Sequence, residues 1–273
     1  MGATMRLMKR KRYPTDLTDE QWVILKPHLA KRPGRGAPRR VDLREIINAL
    51  LYLSRTGCQW RMLPHDLPPW ETVYYYFSQW RDDGTWQRVN RELRIEIRVS
   101  VSKDPEPSAA ILDSQSVKTT ETSGLRGYDA GKKVNGVKRH LLVDTLGLVL
   151  AVLITTADIQ DREGARMLLG QVTGQFPRLQ KIWADGGYAG TLVDWVKNLY
   201  GWVLEIVKRS DSATGFVVLP HRWIVERTLG WLNRSRRLSK NFERLPASSE
   251  ALIYLAMLPL MTRRLAKQPT CFA

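Results

Sequence analysis

Apolar residues recur at helical spacing over the first third of the chain and at strand-like spacing beyond it. Thr18 followed three residues later by Gln21 is a capping-box pattern, and Trp22, Leu25 and Leu29 then share one helix face. Pro27 is expected to end or kink that helix, because its ring removes a donor and crowds the preceding turn. Asp42 with Glu45 is a second cap signal, followed by Leu43, Ile46, Ile47, Leu50 and Leu51, with Gly57 as the C-cap. Pro68 and Pro69 precede a third helix over 70–83 that stops at Gly84, and a fourth runs from about 85 to 97. The pattern then changes. A short apolar strand is expected over 110–117, and a hairpin of 140–145 and 148–155 turns at Leu146-Gly147. A helix over 161–172, a strand over 179–184, a helix over 191–200, a strand over 202–207, a long helix over 222–240 and a last apolar helix over 247–266 complete the order.

Helices followed by alternating strands and helices predict an α/β protein: a mixed sheet flanked by helices, preceded by a small all-α, helix-turn-helix-like region. The expected divisions are a basic arm at 1–15, a helical domain at 16–98, a linker at 99–109 and an α/β domain at 110–267.

Charge narrows the class. Lys and Arg number 43 against 27 Asp and Glu, which leaves +16 with histidine neutral. Such an excess points to a polyanionic partner. The longest apolar run, Ala251–Met261, is about half the length of a membrane span, so nucleic acid is favoured over a membrane. The N-terminus has no apolar core of a secretory signal, and the two cysteines, Cys58 and Cys271, exclude a disulfide scaffold or a cysteine zinc site. A cytoplasmic location is expected.

Three acids are candidates for chemistry. Asp113 lies inside an apolar strand, where a carboxylate is costly without a partner such as a metal. Asp185 follows the strand Ile182-Trp183-Ala184 and precedes Gly186-Gly187; it reads either as a turn cap or as a ligand at a strand's carboxyl end. On the predicted long helix, Arg222, Glu226, Asn233, Arg237 and Lys240 share one stripe, which reads either as a salt-bridged surface or as a metal-binding glutamate beside phosphate-binding cations. Together, two strand carboxylates and one helical carboxylate can hold two Mg²⁺ ions for phosphodiester chemistry. Asp144, Asp158, Asp161 and Glu163 are expected in turn and cap roles, and His140 in a packed or exposed one.

The strings Ile111-Leu112-Asp113-Ser114-Gln115-Ser116-Val117-Lys118, Trp183-Ala184-Asp185-Gly186-Gly187-Tyr188 and Arg222-Trp223-Ile224-Val225-Glu226-Arg227 resemble a bacterial DDE insertion-sequence transposase of the "IS-five" family. Leu17-Thr18-Asp19-Glu20-Gln21-Trp22 and Arg55-Thr56-Gly57-Cys58-Gln59-Trp60-Arg61 are similar to that family's N-terminal DNA-binding module. The resemblance implies an RNase H-like fold and a catalytic, metal-binding triad of Asp113, Asp185 and Glu226. It implies Mg²⁺, with Mn²⁺ able to substitute, and double-stranded DNA as partner, both inverted-repeat ends and target. Cleavage and strand transfer by a homo-oligomer holding two ends are the expected activity, and the nucleoid its place of work. The wider superfamily's signature of Tyr, Arg, Glu and Lys is met at Arg222 and Glu226, whereas Leu219 and Asn233 stand at the tyrosine and lysine positions. Arg237 or Lys240 is expected to replace the lysine. Lys118, Arg81, Arg39 and Arg40 are further expected DNA contacts, and Lys132, Lys133, Lys138 and Arg139 are expected to line the cleft. Two rivals remain: a nuclease of the same fold that does not join strands, and a DNA-binding protein without activity.

Overall fold

The computed structural model describes residues 10–29, 41–121, 124–207 and 221–267. Four helices come first: α1 (Asp19–Leu29), α2 (Leu43–Thr56), α3 (Trp70–Asp82) and α4 (Thr85–Ser100). Their ends follow the cap signals. Thr18 and Gln21 exchange the two bonds of a capping box: the Gln21 amide N–H donates to Thr18 Oγ1, and the Thr18 N–H to Gln21 Oε1. Asp42 accepts from the Arg44 N–H, and Gly57 ends α2 at φ 74°. A side chain at Gly57 would meet the backbone of Arg236 at 3.2 Å, so both the φ angle and the close approach require glycine. Pro27 does not end α1, which continues to Leu29; the burial of Leu25 and Leu29 outweighs the lost bond.

Strands β1 (Ala109–Lys118), β2 (Gly127–Asp129), β3 (Val134–Asp144), β4 (Val149–Thr156), β5 (Lys181–Ala184) and β6 (Val203–Ile206) form one sheet. β3 pairs antiparallel with β1 on one edge and with β4 and β2 on the other, while β1, β5 and β6 run parallel. Helix α5 (Asp161–Gln171) joins β4 to β5, α6 (Thr191–Tyr200) joins β5 to β6, and α7 (Arg222–Leu232) and α8 (Pro246–Ala266) follow. This mixed, helix-flanked sheet is the RNase H-like α/β arrangement. The three-residue strand β2 was not foreseen from the sequence, and β3 begins well before the expected hairpin strand.

Alternation along β1 sorts its side chains between two cores. Ala110 and Leu112 face the core formed with α5 and α6, including Leu168, Leu192 and Val196. Ile111 and Val117 face the opposite core, which holds Val225 of α7, Leu255 of α8 and the buried faces of α1 to α4. The apolar core on this second face is therefore continuous from the N-terminal helices through α8 to the sheet.

The largest departure is in the predicted helix over 222–240. It ends at Leu232 with Asn233 as C-cap, and a single 3-10 turn follows at Arg236–Leu238. Tertiary ties capture the segment. Arg237 donates to the Cys58 carbonyl and to Glu243, and Arg55 donates to the Arg234 carbonyl. The single helical stripe of Arg222, Glu226, Asn233, Arg237 and Lys240 therefore does not exist. Among the described residues, no helix is long and apolar enough to cross a membrane.

Candidate active site

The parallel ladder pairs Ala109 with Lys181 and Ile111 with Trp183. Carried two residues further, this register sets Asp113 abreast of Asp185 on strands about 4.8 Å apart. Both residues share the parity of Ile111 and Trp183, so both carboxylates point to the face that α7 covers. The sheet thus brings two of the three candidate acids together at the carboxyl ends of adjacent parallel strands, where an α/β sheet has its crevice.

The electrostatics of the pair are uneven. Asp113 is half-buried, and its pKa is pushed up to about 6, first by burial and then by the neighbouring charge of Asp185; the Ser114 N–H, Arg222 and Lys132 offset part of this. Asp185 caps the short turn Gly186–Tyr188 by accepting from the Gly187 N–H at 2.9 Å. It therefore caps the turn that follows β5. Glu226 sits on α7, half exposed. Arg222 joins it to the pair: one guanidinium nitrogen lies 3.3 Å from Glu226 Oε1 and 3.7 Å from Asp185 Oδ2. Among the described residues, no three His, Cys, Asp or Glu side chains gather closely enough to hold a metal ion. The Asp113–Asp185 pair alone fits one: a half-buried carboxylate driven toward its neutral form beside a second carboxylate gains most from a hard cation.

A second layer lies on the opposite face of β1, and its acid is Asp161, which from its place at a helix start is expected to act as a cap. Ser114 Oγ donates to Asp161 Oδ1 at 2.7 Å, and Lys138 Nζ lies 3.0 Å from the same oxygen. Tyr188 is buried against this layer, and burial followed by the charges of Asp113 and Asp161 raises its pKa well above the ordinary value. The available signal was parity: Ser114 must face α5 if Asp113 faces α7.

The cations expected to meet DNA fall into three groups. Lys118 is exposed and lines an open groove with Arg126, Lys133 and the exposed Tyr128; Lys240 is also exposed. Arg222 is engaged by the acids. Arg81 and Arg237 are engaged within the chain. The Arg81 guanidinium is taken up by Asp82 and by Ser248 of α8, and Arg237 is buried against Glu243 and the Cys58 carbonyl. Neither presents a free cationic face. Lys138 and Arg139 are likewise buried rather than lining a cleft: Lys138 donates to the Ile159 carbonyl, and Arg139 to the Leu238 carbonyl. Arg39 and Arg40, and Leu219 at the signature's tyrosine position, lie outside the described residues. Of the basic arm, Arg10 is tied to Asp16 and Glu45, each at 2.7 Å. His140 is fully buried with a pKa lowered by desolvation to about 4; it packs so closely on Gly164 that a side chain there would collide with its ring.

The mixed, helix-flanked sheet is of the RNase H-like class. A family model described as "Transposase DDE domain" matches residues 104–261, more than half of the chain, and one described as "Putative transposase of IS4/5 family" matches residues 17–90. The chain belongs to the family of transposases with a DDE domain, enzymes that use divalent metal and act on DNA. It is similar to "Insertion element IS402 uncharacterized 16.2 kDa protein" of Burkholderia cepacia, 28% identical over 127 residues, covering 43% of this chain and 78% of that protein. It is also similar to "Putative transposase for insertion sequence element IS402" of the same organism, 31% identical over 118 residues. That match covers 40% of this chain and 54% of the relative, about half its length.

Proposed function

We propose that this chain binds the inverted-repeat ends of its own insertion sequence, cuts them to free 3′-hydroxyls and joins those ends to target DNA, with Asp113, Asp185 and Glu226 as its catalytic residues. The observation that carries the reading is the Asp113–Asp185 pair: two acids abreast on parallel strands, one half-buried, without an ion-pair partner for Asp113 among the described residues. Asp113 and Asp185 would hold Mg²⁺, with Mn²⁺ able to substitute, and Glu226 would complete the ligand set. When bound, divalent cations supply positive charge to the attacking and leaving oxygens and acidify the attacking water or hydroxyl.

The chain's own residues do the rest. The strands fix the two aspartates, and the Gly187 N–H orients the Asp185 carboxylate. Arg222 holds Glu226 and Asp185 on one guanidinium, and hands its charge to a DNA phosphate once cations neutralise the acids. Lys118 and Lys240 contact the backbone, and the helical region over 16–98 binds the ends, with Tyr74 and Tyr75 of α3 exposed on its surface. Holding two ends at once requires a homo-oligomer, working in the bacterial cytoplasm on the nucleoid.

The test is cleavage of a supercoiled plasmid carrying the DNA that flanks this gene. Wild type and Glu226→Gln are compared with Mg²⁺ and with chelator. Cuts at the repeat ends and joined products are expected only for wild type with metal. Cuts without joined products would indicate a nuclease, and bound but uncut ends for both proteins would indicate a DNA-binding protein without activity.

A further inference from the structure

A cavity of about 330 Å³ opens between α4, the start of β4, the end of α5 and α8, away from the crevice at Asp113. Arg94 is one of its lining residues. This side chain is 2% exposed, and its guanidinium carbon lies 5.4 Å from the centroid of the Phe176 ring. One terminal nitrogen, Nη1, donates to the Val149 carbonyl at 3.3 Å, on the outer edge of β4. Nε and Nη2 have no partner among the described residues. These two nitrogens form one straight edge of the planar guanidinium, the edge that grips two oxygens of a single anion.

Charge balance around the cavity leaves this cation over. Arg98 is neutralised by Asp144 at 2.8 Å, and Arg91 by Glu106 at 3.0 Å. Glu250, across the cavity, accepts the Ile154 N–H, and burial raises its pKa, which weakens it as a counter-charge. Burial lowers the Arg94 pKa to about 10, the sign of a cation removed from water without full compensation. One further group selects among anions. Asn90, 1% exposed, donates its amide to the Tyr254 carbonyl at 2.9 Å, which fixes its orientation and leaves Oδ1 buried without a donor. A carboxylate would satisfy Arg94 and leave Asn90 unmet. A phosphate that carries a proton offers two oxygens to Arg94 and a hydroxyl to Asn90.

We propose that this cavity binds a protonated phosphate group, either free phosphate or the terminal phosphomonoester of a nucleic-acid chain, with Arg94 and Asn90 as its ligands. The site is independent of the transposase reading, since none of its residues reaches the acidic crevice. It joins α4 of the helical region to the edge of the sheet, so occupancy stabilises that junction.

The test is isothermal titration of the full chain with sodium phosphate, at constant ionic strength and with chelator present, so that no metal-bound anion contributes. A saturable one-to-one site is expected, accompanied by a rise in melting temperature that matched chloride does not give. Arg94→Gln is expected to abolish it. Because that variant removes a buried group and can fail to fold, Gln87→Glu is the second: Gln87 is exposed, lines the cavity, and sits in the first turn of α4, where an acid is tolerated. It is expected to leave the melting temperature without phosphate unchanged and to weaken binding about fivefold through like-charge repulsion. A 5′-phosphorylated dinucleotide that competes where its unphosphorylated form does not would identify a chain end as the source; inorganic phosphate binding alone would identify the free ion. The proposal is overturned if wild type shows no saturable uptake beyond chloride, or if Gln87→Glu binds phosphate as tightly as wild type.

Discussion

Asp113 and Asp144 lie three residues apart along one ladder, since Asp144 pairs in register with Ala110, and the chain supplies them with different partners. Asp144 is completely buried, ion-paired to Arg98 at 2.8 Å, and accepts the backbone N–H groups of Leu146 and Leu148. Its charge is fully answered by the chain, and it holds α4 to the β3–β4 turn. Asp113 is less deeply buried, and burial first and the neighbouring charge of Asp185 after it push its pKa up to about 6. A buried carboxylate supplied with its own cation is structural. One left beside a second carboxylate is a place for a cation from outside. Depth of burial does not separate the two; the partner does.

The largest effect is expected at Asp144. Asp144→Ala strands Arg98 in the interior and should cost about 3–5 kcal/mol in urea unfolding. Adding Arg98→Met should recover a substantial part of that loss; no recovery would mean the pair is not the unit that matters. Asp113 should behave in the opposite way. Its folded pKa of about 6 exceeds the ordinary 3.8, so the folded state binds more protons than the unfolded chain between about pH 4 and 6, and stability falls as pH rises through that window. Asp113→Asn should remove that fall and leave the protein more stable at pH 7 by up to about 3 kcal/mol. The comparison must be a difference curve, because His140, held near 4, acts with the opposite sign: its contribution is full above about pH 6.5 and lost as pH falls toward 4. Mg²⁺ should stabilise wild type at pH 7 and not Asp113→Asn; equal stabilisation of both would remove Asp113 from the metal site. The smallest change in stability is expected at Glu226, which is half exposed. Glu226→Gln should leave the melting temperature unchanged while DNA cleavage is lost, a combination that neither aspartate gives.

The same contrast marks what the sequence could tell. Local signals were legible: the Thr18–Gln21 box, the Asp42 cap, Gly57, the hairpin at Leu146-Gly147 and helix α6 all fall where spacing places them. Asp113 was legible as an anomaly, a charge in an apolar strand. Asp144 was not, because it looks like any aspartate before a turn until Arg98, 46 residues earlier, is brought against it. The end of α7 was hidden for the same reason. Residues 233–240 carry neither Gly nor Pro, and what unwinds them is Cys58 and Glu243 competing for Arg237. Arg81 and Arg237 looked like free cations because a sequence shows charge and not its partner. Asp161 was seen as a helix-start acid, and only the sheet shows that Ser114 and Lys138 converge on it.

The continuous core between the N-terminal helices and α8 has a consequence for the order of synthesis. Leu50, Phe77, Trp86 and Leu93 bury their faces in a core that also needs Leu252, Leu255 and Leu258. Asn90 finds its acceptor only when Tyr254 is present. A ribosome delivers those partners more than 150 residues after α4. The first helices therefore leave the exit tunnel with apolar surface that nothing yet covers, and their final packing is delayed until α8 is made. A nascent chain stalled before Pro246 would be a client for chaperones and proteases, so interrupted translation would yield no lasting pool of free N-terminal fragment.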